Sequence, residues 1–216
     1  CGAFTSVGGG TTWRYTPYHI PHRTEVMGFM TILHGDNRFY NNIFIQKWPV
    51  EDCRPHDDRD AQENRLVGTY VFDGYPTYEE WISQFDFTQR PDMRALEPVH
   101  FGHLPVWSEG NAYLNGARPW KKETKGLVVG NEHEIKVELV EQDGHYYLET
   151  NLFDYLKDFK VRMINTEILG KAFEPEQPFE NPDGTPIRFD ADYFGNHRGV
   201  HVIPGPFASP SDRIKL

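Results

Sequence analysis

One segment near the start of the chain concentrates side chains that could do chemistry. Tyr18, His19 and His22 lie within five positions, and Glu25 follows them. Histidine and carboxylate groups hydrogen-bond sugar hydroxyls, and flat tyrosine rings pack against sugar faces. The segment could therefore bind a sugar. Two other interpretations stay open: loop histidines without a special role, and a zinc site, for which no third or fourth ligand lies at motif spacing.

The carboxylates of the chain do not form a recognisable catalytic pair. Glycoside hydrolysis usually needs two carboxyl groups on opposite sides of one sugar bond. Asp36 lies next to Arg38, and we expect it to be a turn carboxylate held by the guanidinium. Asp57, Asp58 and Asp60 could chelate a cation, although their spacing does not fit an EF-hand. The sequence therefore predicts no catalytic residue, no metal and no cofactor in this chain.

Composition and charge exclude several classes of partner. The 216 residues carry a net charge of −10, and an acidic surface repels nucleic acid. No apolar run approaches the roughly 20 residues that span a bilayer, so a membrane is not expected. Cys1 and Cys53 form no disulfide framework, which favours a reducing compartment such as the bacterial cytoplasm. Because the chain opens without an initiator methionine, we expect a longer polypeptide to precede it.

The N-terminal part of the chain has short strands around asparagine-rich bends. A turn at 35–37 separates two strands, the second of which is predicted over 38–46. The Asn41-Asn42 pair within that strand is typical of a corner in a parallel β-helix, where stacked amides satisfy backbone groups, but an ordinary hairpin turn is the alternative. The stretch 111–116 resembles another coil edge. Residues 47–75 are polar and are expected to form a surface excursion.

The clearest helix is predicted over 76–87. Thr77 followed by Glu80 makes a capping box. Trp81, Ile82 and Phe85 then give an apolar stripe at helical spacing, which we expect to pack in the core.

From about residue 131 the pattern changes to alternating strands with glycine turns. Asp143-Gly144 predicts a tight hairpin turn, and 181–184 predicts a further turn. Regular short strands of this kind are typical of an antiparallel β-sandwich. We therefore predict two domains, 1–130 and 131–216. The strands predicted in the second domain are 135–140, 146–150, 159–167 and 187–189.

The segments TPYHIPHRTEVMGF (16–29) and HGDNRFYNNIFIQ (34–46) resemble the C-terminal third of the β-xylosidases of glycoside hydrolase family 120. The stretches PTYEEWISQF (76–85), NAYLNGARPW (111–120) and the closing DRIKL (212–216) also have similar counterparts there. The resemblance spans nearly the whole chain, and it is densest in residues 15–46.

The resemblance implies an all-β fold: the C-terminal coils of a right-handed parallel β-helix, followed by an antiparallel β-sandwich, with one short helix. It implies retaining hydrolysis of xylosides or xylo-oligosaccharides through a covalent xylosyl-enzyme. The family's nucleophile lies in a Trp-Leu-Asp-Trp-Glu segment and its acid/base in a Val-Glu-Val segment, and this chain contains neither. Both carboxylates are therefore expected in an upstream β-helix polypeptide, which would be this chain's partner.

The position of the loop on the coil next to the catalytic pair makes Tyr18, His19, His22 and Glu25 the expected substrate-binding residues. Assembly into a homo-oligomer stays open. Two alternatives to a xylosidase also stay open: another β-helix protein that acts on polysaccharides, such as a lyase or epimerase, and a non-catalytic carbohydrate-binding module.

Overall fold

The computed structural model describes residues 35–53, 66–86, 88, 103–131, 134–173 and 176–216. These residues form mostly short strands with few helices, in agreement with the predicted all-β class. The strands are β1 (Asn37–Tyr40), β2 (Ile43–Ile45), β3 (Val106–Glu109), β4 (Ala112–Leu114), β5 (Leu127–Val128), β6 (Val137–Gln142), β7 (His145–Thr150), β8 (Val161–Arg162), β9 (His201–Val202) and β10 (Arg213–Lys215). The helices are α1 (Tyr78–Ile82), α2 (Leu152–Leu156) and α3 (Thr166–Leu169). Two 3-10 turns lie at Val50–Asp52 and Tyr70–Phe72. The sequence predicted only the first of the three helices.

The strands before residue 130 pair in parallel. β1 pairs with β3, and β2, β4 and β5 form a three-stranded sheet in that order. Strands β2 and β4 are continuous apolar runs, as expected of parallel strands that are covered on both faces. Phe44 on β2 is aligned with Tyr113 on β4, and their rings stack with centroids 5.1 Å apart.

Each face of this parallel sheet belongs to a different core. One face contributes Phe44 and Tyr113 to a cluster with Phe39, Val67, Phe72, Tyr75, Val106, Ala117 and Trp120. The opposite face contributes Ile43, Ile45, Ala112 and Leu114 to a second cluster, whose other members include Leu152, Phe153, Leu156, Ile203 and Ile214 from the second half of the chain. The two halves therefore pack against each other through the parallel sheet.

The predicted strand 38–46 is divided in two by Asn41. Asn41 adopts a left-handed backbone conformation (φ 57°), which asparagine tolerates better than most residues. The resulting strands β1 and β2 pair with β3 and β4 and not with each other, so the hairpin alternative is wrong. The Asn42 side chain donates to the Asn111 amide oxygen at 2.9 Å, and the Asn111 amide donates to the Phe39 carbonyl oxygen at 2.8 Å. This is the predicted stacking of asparagines at a corner.

Two predictions for residues 47–86 need correction. The segment 47–75 is not wholly a surface excursion, because Val67, Thr69 and Phe72 are buried in its described part. The helix is also shorter than 76–87, although its capping box is present. Its three apolar residues are only half-buried. Trp81 packs edge-on against Phe173, with ring centroids 4.5 Å apart.

The strands after residue 130 pair antiparallel. Asp143 and Gly144 both have positive φ angles (52° and 74°), as the predicted tight turn between β6 and β7 requires, and β10 pairs with the other edge of β7. The predicted strand 159–167 is wrong in its second half. The Asn165 side chain accepts from the Ile168 backbone N–H and so starts α3. No strand forms at 187–189, where Arg188 makes an isolated bridge to Asn165.

The parallel pairs lie between residues 37 and 128 and the antiparallel pairs between 137 and 215. The division into domains 1–130 and 131–216 stays a prediction, because the two halves share a core. No helix in the described ranges is both long enough and apolar enough to cross a membrane.

Candidate functional site

The corner between β1 and β2 is bound on both sides by the second half of the chain. The Asn41 side-chain amide donates to the Arg162 carbonyl oxygen at 2.8 Å. The Gly205 backbone N–H donates to the Asn41 carbonyl oxygen at 2.9 Å. The backbone at Gly110 passes close beneath the corner, since a Cβ placed there would lie 2.9 Å from the Asn41 amide oxygen. Asn41 is therefore held in one orientation.

Three cavities surround this corner, and Asn41 lines all of them. The Lys160 cavity has a volume of about 190 Å³ and is lined by Tyr40, Asn41, Glu109, Gly110, Lys125, Lys160, Val161, Arg162, Ile164 and His201. The Phe189 cavity, of about 300 Å³, is lined by Arg38, Tyr40, Asn41, Asn42, Ile164, Leu169, Phe189, Arg198, Val202 and Gly205. The Tyr193 cavity, of about 520 Å³, is lined by Asn41, Asn42, Ile43, Phe189, Ala191, Asp192, Tyr193, Arg198, Gly205 and Pro206.

The carboxylate of the Lys160 cavity is neutralised by two cations. Glu109 accepts from Lys125 at 2.9 Å and from Arg162 at 2.6 Å. Burial raises the pKa of the neighbouring Tyr40, although Arg38 and Arg162 oppose the increase. The Tyr40 hydroxyl is therefore a neutral group that can both donate and accept.

Arg198 lies between the Phe189 and Tyr193 cavities. Its guanidinium donates to the carbonyl oxygens of Gly205 and Ile203, and its buried Nε has no hydrogen-bond partner among the described residues. Burial lowers the pKa of Arg198, which the nearby Asp192 carboxylate partly offsets. The corner is thus lined with positive charge, aromatic rings and amides.

The predicted pair of Asp36 and Arg38 is present and nearly buried, with side-chain exposures of 4% and 7%. The Arg38 guanidinium lies between the rings of Trp107 and Phe179, 4.1 and 4.6 Å from their centroids. It also donates to the Leu169 carbonyl oxygen at 2.7 Å. Because the pair is nearly buried and protein groups hold the Arg38 guanidinium, Asp36 and Arg38 stabilise the structure, as the sequence predicted for Asp36.

Among the described carboxylates, Glu123 has a pKa that burial raises, as an acid catalyst would require. Its oxygens accept from the Ser108 hydroxyl, the Tyr113 hydroxyl at 3.1 Å, and the Asn111 backbone and side-chain amides at 3.1 and 3.0 Å. Burial also raises the pKa of Tyr113. Glu123 lines none of the three corner cavities, so we assign it to the support of the Asn111 corner.

The chain is similar to a solved structure, that of XylC in complex with xylose. The two share 31% sequence identity with a TM-score of 0.72 over 92% of this chain. The match covers 29% of XylC, so the chain spans less than a third of that protein. No family model matches the chain, and none of the curated proteins matches it.

The sequence-predicted site residues Tyr18, His19, His22 and Glu25 lie outside the described residues, as do Asp57, Asp58 and Asp60. Their roles stay predictions. Among the described residues, no cluster of three or more His, Cys, Asp or Glu side chains could hold a metal ion.

The sequence did not predict the residues of the Lys160 cavity as a site. Glu109 and Arg162 are 53 positions apart, and neither belongs to a recognisable motif. The one available signal was Asn41 beside Asn42, which marked the corner without indicating what packs on it.

Proposed function

We propose that this chain is the C-terminal part of a retaining β-xylosidase of glycoside hydrolase family 120, which hydrolyses xylosides or xylo-oligosaccharides. The observation that carries the proposal is the similarity to XylC, a protein seen in complex with xylose, over 92% of this chain at 31% identity. The sequence resemblance in residues 16–46 supports the assignment to family 120.

The architecture proposed for the described part is the end of a parallel β-helix packed on an antiparallel β-sandwich. Strands β2, β4 and β5 are aligned in parallel, and Asn42 is stacked on Asn111 at a corner. Both features are typical of successive β-helix coils. The antiparallel sheets after residue 130 supply the other layer. A groove across stacked coils would draw binding residues from several of them.

The catalytic pair is proposed to come from the polypeptide upstream. Hydrolysis with retention needs a nucleophile and an acid/base about 5–5.5 Å apart on an accessible surface. The enclosed carboxylates described here do not meet this need. Asp36 and Glu109 are bound to cations, and Glu123 accepts hydrogen bonds from three neighbouring residues.

The residues proposed to contact the sugar are Tyr18, His19, His22 and Glu25. Imidazole and carboxylate groups would bind xylose hydroxyls, and the tyrosine ring would pack against the sugar face. In the first step the upstream nucleophile would attack the anomeric carbon while the acid protonates the leaving oxygen. Water would then release xylose with the β configuration retained.

The first test measures hydrolysis of p-nitrophenyl β-D-xyloside by this chain, alone and joined to the upstream polypeptide. We expect activity only in the joined form, with β-xylose as the first anomer seen by proton NMR. Activity of the chain alone would contradict the upstream carboxylates. Binding of xylo-oligosaccharides without hydrolysis in either form would favour a carbohydrate-binding module. Release of unsaturated sugars from a uronate-containing oligosaccharide, assayed in parallel, would favour a lyase.

A second measurement, in the joined form, tests the binding residues. His22→Ala is expected to lower kcat/KM about tenfold, as the loss of one hydrogen bond to the transition state would do. His145→Ala is the matched control, since His145 is exposed at the start of β7. Equal kinetics for the two variants would remove His22 from the site.

A further inference from the structure

The Lys160 cavity holds an excess of positive charge in a chain whose net charge is −10. Lys125, Lys160 and Arg162 line it together with one carboxylate, Glu109. These four side chains therefore give the cavity two net positive charges. A cavity lined by an excess of one charge attracts ligands of opposite charge.

One of these cations is available to a ligand. Lys125 and Arg162 are engaged with Glu109 at 2.9 and 2.6 Å. Lys160 forms no ion pair with the described carboxylates, and its side chain is exposed at the cavity. A carboxylate that entered the cavity could pair with the Lys160 ammonium without displacing an existing contact.

The other lining groups suit hydroxyls. Tyr40 offers a neutral hydroxyl, and the Asn41 amide, whose nitrogen is bound to the Arg162 carbonyl, presents its oxygen as an acceptor. Glu109 can accept further hydrogen bonds through its remaining lone pairs. Val161 and Ile164 add an apolar wall for the C–H groups of a sugar ring.

We propose that the Lys160 cavity binds a sugar acid, a hexuronate that is free or attached to an oligosaccharide. The volume of about 190 Å³ is smaller than the roughly 300–1,000 Å³ of pockets for drug-sized ligands, so the cavity suits a ligand no larger than one sugar ring. The carboxylate of the ligand pairs with Lys160, and its hydroxyls bind Tyr40, Asn41 and Glu109. Phosphate fits less well, because it has no C–H groups to pack against Val161 and Ile164.

This inference does not rest on the proposed hydrolase activity, since binding is measured directly. The chain is titrated with D-glucuronate by isothermal calorimetry. D-glucose is the matched control, because it differs only in lacking the carboxylate. We expect glucuronate to bind and glucose to bind at least about fivefold more weakly, which is the size of an exposed ion pair. Raising NaCl from about 20 to about 300 mM should weaken glucuronate binding and leave glucose binding unchanged.

Two variants localise the binding. Lys160→Glu should weaken glucuronate binding by about fivefold or more, since an attraction becomes a repulsion. Lys157→Glu makes the same charge change on an exposed lysine of the same segment that does not line the cavity, and it should bind as the unaltered chain does. Thermal unfolding of both variants checks that they are folded. If Lys160→Glu is not folded, Lys160→Gln takes its place.

Four results would overturn the proposal. Equal binding of glucose and glucuronate would indicate a neutral-sugar site. Equal binding of inorganic phosphate and glucuronate would indicate a general anion site. Absence of glucuronate binding, or its equal loss in the Lys157 and Lys160 variants, would remove the ligand from this cavity.

Discussion

The parallel and antiparallel halves of the molecule use polar side chains in opposite ways. In the parallel half, Gln46, Thr69, Ser108 and Asn111 are buried and bind groups far away in sequence. The Gln46 amide oxygen accepts from the Val67 backbone N–H, 21 residues on, at 2.7 Å. Such groups are satisfied only when the strands are stacked, so their hydrogen bonds and the stacking depend on each other.

In the antiparallel half, polar side chains mainly stabilise turns next to themselves. Asp183 accepts from the Thr185 backbone N–H and hydroxyl, and Asp192 accepts from the backbone of Phe194 and Asn196. These hydrogen bonds lower the pKa of Asp183. At Asp192 burial acts to raise the pKa, but the hydrogen bonds outweigh it and the pKa is lowered. Turns of this kind form without a partner element, so we expect this half to tolerate polar substitutions better than the parallel half.

Arg38→Met breaks the contact between the halves and should have the largest effect. The side chain extends from β1 to the carbonyl oxygens of Leu169 and Lys171, so its loss removes the hydrogen bonds to these oxygens and the ion pair of Arg38 with Asp36. Loss of one partner of a buried ion pair costs about 3–5 kcal/mol. We expect urea unfolding to show a decrease of that size.

Arg188→Met is the control for this comparison. Arg188 lies 3.5 Å from Asp190 in a largely exposed pair, and such a pair contributes about 0–1 kcal/mol. If the two variants lost equal stability, the buried contacts of Arg38 would add nothing to the packing of the halves.

Gly68→Ala tests the close approach of chains in the parallel half. Gly68 has φ 133°, and a Cβ there would lie 2.0 Å from the Arg118 carbonyl oxygen. Since that oxygen belongs to a bridged backbone segment, we expect a loss of about 3 kcal/mol in unfolding free energy. Gly184→Ala should cost only about 1 kcal/mol, because the position has φ 81° and open space around it. A similar cost at both positions would contradict a tighter parallel half.

Sequence reasoning predicted the features that depend on neighbouring residues. The Thr77 capping box, the Asp143-Gly144 turn and the Asn41 corner each carry their own signal within a few positions. The contacts of Arg38 with Leu169 and of Glu109 with Arg162 span 131 and 53 positions, and no local pattern indicates them.

The burial of Phe72 and the start of α3 at Thr166 were missed for related reasons. Phe72 lies in a polar segment, so its packing on Phe39, with ring centroids 5.2 Å apart, was not predicted. The alternation in 159–167 favoured a strand, so the helix N-cap at Asn165 was not predicted. In both places tertiary packing or a single side-chain hydrogen bond outweighs the average character of the segment.

Glu123→Gln should have the smallest effect and one that depends on pH. Burial raises the pKa of Glu123, so the folded chain binds this proton more tightly than the unfolded chain does. Stability from this group is therefore gained as pH falls through the folded pKa and is lost as pH rises through it. A glutamine carries no charge to desolvate. Its oxygen can face Asn111, and its nitrogen can face the hydroxyls of Ser108 and Tyr113, which can turn to accept.

We therefore expect the unfolding free energy of Glu123→Gln, relative to the unaltered chain, to increase between about pH 4 and about pH 8, as measured by urea titration at each pH. Glu141→Gln is the matched control, because Glu141 is exposed on β6 and its replacement should change nothing over this range. A pH-independent difference for Glu123→Gln would mean that the carboxyl group ionises alike in the folded and unfolded chains. The cost of burial would then be fully offset by the donors around it, and the parallel half would hold its charged and neutral polar groups equally well.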